Sequence, residues 1–391
     1  MRYWHAVFAL LVAMALAAVL TPLAARLARS IGALDKPRDR GLAIKETPTL
    51  GGLAILAGVL VAGSIWLPSS GTTESILLGA VAITAVGALD DVFDLPPWLK
   101  LLGQIGAAVI AVTGGVSLKE VTLPFFGHLA FPNEGRVLTV IWLVGLMNVV
   151  NFSDGVDGLA AGLCAIDGVA FAVIIFDLPN VQHSYATLAA VTAGASLGFL
   201  GHNFPPARVF MGDSGANLLG YLLGIVTIGG TLKSTAVVAL VVPLVILAVP
   251  FLDSGFVIAK RLKDRRRPWL ADANHFHHRM ARIGFSQRRT LAYLYGWTVL
   301  LAGLAVALRF VPYHDHAYPH RYHLGWLLLV IALAVAALAA SVYLVFVLEI
   351  LKFKRVRMRQ LQTLEPATSE HEIDARVRQE FETGEFERVT T

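Results

Sequence analysis

Charge and cysteine are both scarce in this sequence. Asp, Glu, Lys and Arg make up 15% of its 391 residues, against about 25% in an ordinary soluble domain. With 56% hydrophobic residues, the chain lacks the polar material of a water-soluble fold. Cys164 is the lone cysteine, so no disulfide framework exists and no redox compartment can be read. Strict apolar–polar alternation is missing too, which excludes a transmembrane β-barrel. No internal repeat is evident, which weakens the case for a repeat-built transporter.

What is present is a series of apolar runs near the length that crosses a bilayer. They place eleven spans at 4–25, 51–67, 75–89, 101–117, 136–150, 159–177, 185–201, 214–231, 235–253, 291–311 and 324–350. The fold class is therefore all-α, a polytopic transmembrane helical bundle. The first run follows Arg2, reaches Leu23 without a cleavage site and is followed by basic residues. That pattern reads as a membrane helix rather than a signal peptide.

Alternate loops then fall on opposite sides. Arg2, Lys119, Arg136, Lys233, Arg309 and Arg321 lie on one side, and the other 26 of the 32 Lys and Arg residues lie on the second. The positive-inside rule makes the crowded side cytoplasmic, with the N-terminus outside and the C-terminus inside. Residues 1–350 form one membrane domain. Its cytoplasmic loops are 26–50, 90–100, 151–158, 202–213 and 254–290, and residues 351–391 are a charged cytoplasmic tail. The basic run that opens the tail, Lys352 to Arg359, suits anionic lipid headgroups. On the other side, 118–135 reads as a small hairpin.

The acidic clusters all gather on the cytoplasmic side. Asp90 and Asp91 end the third run. Asn151-Phe-Ser-Asp-Gly-Val-Asp-Gly158 follows the fifth, with Asp154 and Asp157 among glycines. Asp213, in Phe210-Met-Gly-Asp-Ser-Gly215, opens the eighth. Carboxylates beside apolar spans are expensive unless used. Adjacent ones repel, so a shared site wants a cation, a proton or a basic partner. Oxygen donors from separate helix ends suit Mg²⁺ bound together with substrate phosphates, with Mn²⁺ as an alternative. Glycines just before the sixth and eighth runs suggest helix N-termini whose free N–H groups would hold phosphate; ordinary capping or packing is the competing reading.

The loop 254–290 carries Arg265, Arg266 and Arg267, then His275-Phe-His-His-Arg279. Arginines there suit a diphosphate. Positive-inside topology accounts for much of the preceding run, Lys260 to Lys263. The histidines have no partner at a spacing that completes a tetrahedral zinc set, so hydrogen bonding to a phosphorylated or sugar ligand is the better reading. The first loop reads Leu34-Asp-Lys-Pro-Arg-Asp-Arg40, then Thr47-Pro-Thr-Leu-Gly-Gly52, is stiffened by prolines and carries Lys36 and Lys45. It suits an anionic lipid headgroup, in competition with plain topology.

Taken in order, these motifs resemble the polyprenyl-phosphate N-acetylhexosamine-1-phosphate transferases of glycosyltransferase family 4, and within them the WecA-type branch. The resemblance covers residues 1 to about 350. It implies transfer of N-acetylglucosamine 1-phosphate from UDP-N-acetylglucosamine to polyprenyl (undecaprenyl) phosphate, with release of UMP and a need for Mg²⁺. It also implies a bacterial plasma-membrane enzyme of cell-envelope glycan synthesis. No nucleic-acid partner is expected, and a homodimer is an allowed assembly. On this resemblance Asp213 and Asn151 hold the metal. Asp90 or Asp91 orients or deprotonates the lipid phosphate. Asp154, Asp157 and Asn203 hold the uridine, with Phe210 stacked on uracil. Lys36 and Lys45 sit near phosphates, while Arg265, His275, His277 and His278 grip the diphosphate or sugar. Another UDP-N-acetylhexosamine, or UDP-muramoyl-pentapeptide, is the alternative donor. A secondary transporter is the rival class.

Overall fold

The computed structural model describes residues 2–35, 46–118, 120–123, 127–131, 134–178, 183–231, 247–249, 251–252, 286–311, 324–364, 369 and 372–377. Its helices are α1 (Arg2–Ile31), α2 (Gly51–Trp66), α3 (Gly71–Phe93), α4 (Pro97–Thr113), α5 (Glu134–Ser153), α6 (Leu159–Phe176), α7 (His183–Asn203), α8 (Gly212–Val226), α9 (Gln287–Phe310) and α10 (Leu324–Leu364). A π-helical turn, Thr227–Thr231, prolongs α8. Ten of the expected apolar runs fall on these helices. The run 235–253 lies outside the described residues except at its end. Six helices, α1, α3, α5, α6, α7 and α9, are long and apolar enough to cross a membrane, and α2, α4 and part of α10 are shorter apolar helices. The chain is a membrane-embedded, all-α protein.

Burial along α1 shows how the bundle is built. Ala6, Ala9, Ala13 and Ala17 recur at helical spacing and are buried, whereas Phe8, Leu11 and Val19 face outward. In lipid there is no hydrophobic drive to hide a leucine. Small residues go inward because they let backbones approach. α1 lies against α7 and α2, and α8 lies against α3 and α5. α8 is buried from Ser214 to Val226, which makes it the central post.

Several polar groups inside this bundle pair across helices, as a low-dielectric interior favours, whereas both carboxylate oxygens of the buried Asp167 on α6 have no hydrogen-bond partner among the described residues. Pro22 interrupts α1 and has no N–H for the carbonyl of Ala18. His202 of α7 donates from Nε2 to that carbonyl at 2.9 Å. Tyr221 donates to the Ile76 carbonyl at 3.1 Å, and Trp142 to Thr227 Oγ1 at 2.8 Å.

Among the described residues there are also two short antiparallel ladders. Strand β1 (Leu34–Asp35) pairs with β2 (Thr47–Pro48), closing the first loop at its neck. Strands β3 (Glu120–Leu123) and β4 (Gly127–Ala130) form the hairpin expected between the fourth and fifth runs. α10 spans 41 residues, roughly 60 Å at 1.5 Å per residue. That is about twice the hydrocarbon thickness of a bilayer, so the helix continues unbroken into the charged tail. There Leu361 packs with Ile373 and Val377.

Candidate active site

α3 ends with two adjacent aspartates that point different ways. Asp91 faces α8: Oδ1 accepts the Asp213 N–H at 2.8 Å and Oδ2 the Ser214 N–H at 3.3 Å. α8 has no side-chain cap of its own at Met211. Asp91 supplies the missing acceptor from another helix, where the helix dipole favours a negative charge. This corrects the expectation of free N–H groups. At the start of α8 they are engaged by Asp91, and before α6 the Gly158 N–H donates to Asn203 at 2.8 Å.

Close approach makes the Asp91 cap possible. A β-carbon on Gly87 would collide with Ser214, and one on Gly52 with Gly215, so the tip of α8 fits between α2 and α3. Gly212 has φ +67°, and a β-carbon there would strike the Asp91 carboxylate. Gly212→Ala should therefore cost roughly 1–2 kcal/mol for the left-handed backbone alone, with the displaced cap adding to it. A melting temperature in detergent and a turnover assay check this. An unchanged pair of values would contradict the described fit.

Asp90 faces the other way, toward α4. The connection is tight: Asp94 takes a left-handed conformation, its N–H donates to the Asp90 carbonyl at 2.8 Å, and the Leu95 N–H donates to Asp90 Oδ1 at 2.8 Å. Pro97 then opens α4 and sets Lys100 in its first turn. Lys100 Nζ lies 2.5 Å from Asp90 Oδ2 and 3.0 Å from Asp213 Oδ2. Asn151 Nδ2 donates to Asp213 Oδ1 at 2.9 Å. Asp213 is thus held by α3, α4 and α5 at once. Sequence reasoning missed Lys100. The clue was a lone cation at the head of an apolar run, read only as a topological charge.

The stretch from Asn151 to Gly158 completes the floor. Asn151 to Ser153 belong to the last turn of α5. Gly158, at φ +77°, caps α6. Asn203 bridges this stretch to the next loop, with Oδ1 on the Gly158 N–H and Nδ2 donating to the Val209 carbonyl at 2.9 Å. Asp157 Oδ2 accepts the Ala207 N–H at 2.9 Å, and Tyr295 donates to the Gly158 carbonyl. Phe210 is clamped through its backbone: its N–H donates to Pro48 at 2.8 Å and its carbonyl accepts from Gly51 at 3.0 Å. Desolvation pushes the Asp154 carboxyl well above the usual carboxylate range, and the negative charges of Asp213, Asp91 and Asp157 add to the effect.

The structure brings together Asp90, Asp91, Asp213 and Asn151, with Asp154 within electrostatic reach. Lys36, Lys45, Arg265, His275, His277 and His278 lie outside the described residues. A divalent cation fits the donor types: the carboxylates of Asp213 and Asp90 are hard oxygen ligands in excess of the one Lys100 ammonium. Among the described residues no group of three His, Cys, Asp or Glu could hold a metal. Asn151 turns its amide nitrogen, not its oxygen, toward Asp213, so ligation by Asn151 requires the amide to rotate.

Comparison with known proteins bears on what this cluster does. The family model for glycosyl transferase family 4 matches residues 74–231, which contain the whole described cluster. A probable undecaprenyl-phosphate N-acetylglucosaminyl 1-phosphate transferase of Bacillus subtilis is 36% identical over 303 residues, covering 75% of this chain and 82% of the relative. A decaprenyl-phosphate N-acetylglucosaminephosphotransferase of Mycobacterium leprae is 35% identical, covering 75% and 81%. An undecaprenyl-phosphate alpha-N-acetylglucosaminyl 1-phosphate transferase of Escherichia coli K12 is 27% identical, covering 79% and 83%. With the acid–lysine cluster inside the matched region and most of each chain aligned, this protein belongs to glycosyl transferase family 4, the family of the polyprenyl-phosphate N-acetylhexosamine-1-phosphate transferases.

Proposed function

We propose that the chain transfers N-acetylglucosamine 1-phosphate from UDP-N-acetylglucosamine to a polyprenyl phosphate, releasing UMP. The observation that carries the reading is the meeting of Asp90, Lys100, Asn151 and Asp213 at one end of an apolar bundle. That end is where a lipid phosphate and a soluble nucleotide can reach the same groups. The relatives whose names describe this transfer support the choice of substrates.

Phosphoryl transfer asks for charge neutralisation and alignment more than covalent help. An oxygen of the lipid phosphate attacks the sugar-linked phosphorus in line. The new P–O bond forms as the bond to the UMP phosphate breaks, and UMP leaves with the bridging oxygen. Asp90 orients the lipid phosphate or takes its last proton. Lys100, already between the two carboxylates, neutralises phosphate charge. A Mg²⁺ held by Asp213, with Asn151, would supply further neutralisation when bound. Asp91 holds α8, and through it Asp213, in place. Asp154 and Asp157 hold the uridine together with Asn203, which ties the 203–211 loop to the Gly158 backbone.

This reading places the cluster on the cytoplasmic face of a bacterial plasma membrane, in an eleven-span bundle with its N-terminus outside. Arg265, His275, His277 and His278 would meet the diphosphate or sugar, and Lys36 and Lys45 the lipid phosphate. The test is UMP release by purified protein given UDP-N-acetylglucosamine and undecaprenyl phosphate. Release should need both substrates and Mg²⁺ and stop with a chelator. A panel of UDP-sugars decides the donor. Release without acceptor, together with a trapped phospho-enzyme, would replace direct displacement with an aspartyl-phosphate on Asp90 or Asp91. No release under any of these conditions, with solute uptake in vesicles, would favour a transporter.

A further inference from the structure

Three residues of the cluster come from three helices, and each has an amide one helical turn deeper in the bundle. Lys100 is followed on α4 by Gln104. Asp213 is followed on α8 by Asn217. Asn151 is preceded on α5 by Asn148, because α5 runs toward the site and the other two run away from it. At three or four residues' spacing, each amide lies directly beneath its partner.

The three amides bond to one another in a single directed chain. Asn148 Nδ2 donates to Gln104 Oε1 at 2.8 Å and also to the Val144 carbonyl of its own helix. Gln104 Nε2 donates to Asn217 Oδ1 at 2.8 Å. Asn217 Nδ2 donates at 2.8 Å to the backbone carbonyl of Asp213 itself. The relay therefore begins on the helix of Asn151, passes through the helix of Lys100 and ends on Asp213. Gln104 and Asn217 are each 5% exposed. Side-chain amides at such depth are retained only where every group is paired, and a paired set holds its helices at one spacing.

We propose that Gln104, Asn148 and Asn217 are positioning residues for the transfer, setting the separation of Lys100, Asn151 and Asp213 from one turn below. The proposal rests on the transferase reading of the cluster. None of the three touches the reacting phosphates. They act through where they hold the groups that do. A shift of about 1 Å in such a group can lower turnover by roughly a hundredfold, so the relay should show itself in kcat.

The experiment compares Gln104→Leu, Asn217→Leu and the double variant with wild type. Each is purified in detergent and measured for kcat, KM for UDP-N-acetylglucosamine and melting temperature, with turnover read well below melting. Each single variant strands the other amide, so both should lose stability. The double variant removes both partners, which returns much of that stability. If the relay positions the site, the double variant regains melting temperature yet keeps kcat down by about tenfold or more, with KM little changed. If it only binds helices together, kcat recovers with melting temperature in the double variant, and that recovery overturns the proposal. A kcat within twofold of wild type in the folded single variants overturns it too. Should a single variant fail to fold, the double variant still decides. Wild-type protein that releases no UMP would instead defeat the transferase reading itself, a separate outcome.

Discussion

Asp213→Ala should abolish measurable UMP release while leaving the protein folded. Asp213 is the point on which the described site converges. Its carboxylate meets Lys100 and Asn151, its N–H meets Asp91, and its carbonyl meets Asn217. Only the first two contacts use the side chain. Alanine therefore keeps the backbone cap and the amide contact, and α8 should still seat between α2 and α3. What disappears is the oxygen donor offered to a divalent cation and the partner that aligns Lys100. Loss of a centre that stabilises transition-state charge costs about 10²–10³-fold in favourable cases. On the proposed role of Asp213 toward Mg²⁺, loss of that oxygen donor adds to the effect. The check is turnover across a Mg²⁺ titration, beside a melting curve. Turnover within tenfold of wild type at ordinary Mg²⁺ would remove Asp213 from the chemistry.

Lys100→Met should produce the second largest effect, about a hundredfold or more in kcat. The methionine keeps length and apolar volume and removes only the ammonium. Two carboxylates, Asp90 and Asp213, then share a partly buried space without the cation that each now contacts at 2.5 Å and 3.0 Å. Like charges so close disfavour joint ionisation. One carboxyl should take up a proton or recruit a cation in the lysine's place. The variant should therefore respond more steeply to Mg²⁺ than wild type, even as its maximal rate falls. Lys100→Arg should fall between, since it keeps the charge but not the compact ammonium. A methionine variant with wild-type kcat and the wild-type Mg²⁺ response would show that the ion pairs serve only to join α3, α4 and α8.

Much of the fold is legible along the chain because bilayer physics is nearly one-dimensional. A run long and apolar enough to cross must close its own backbone hydrogen bonds, and a helix is how a single run does so. The runs, the hairpin near 120–130 and the membership of Asp90, Asp91, Asn151 and Asp213 in one site could all be read in that way. The family resemblance sharpened the last of these. Roles within the site were less legible. Asp90 and Asp91 are neighbours of identical chemistry. Only the 100° turn between successive helical residues sends one to Lys100 and the other to the N-terminus of α8. Lys100 itself read as a loop charge, since sequence cannot show that a left-handed Asp94 and a proline-opened helix fold it back over α3.

By itself, then, the sequence determined the solvent, the helices and the kind of chemistry. Composition, run length and residue type are local quantities and need no partner to be read. Tertiary structure alone decided that Asp91 caps a helix it does not belong to, that Lys100 stands between two carboxylates, and that three amides line up beneath the site. Each of these depends on the register between helices far apart in the chain. That register is set by small residues such as Gly52 and Gly87, which let backbones come within reach of one another.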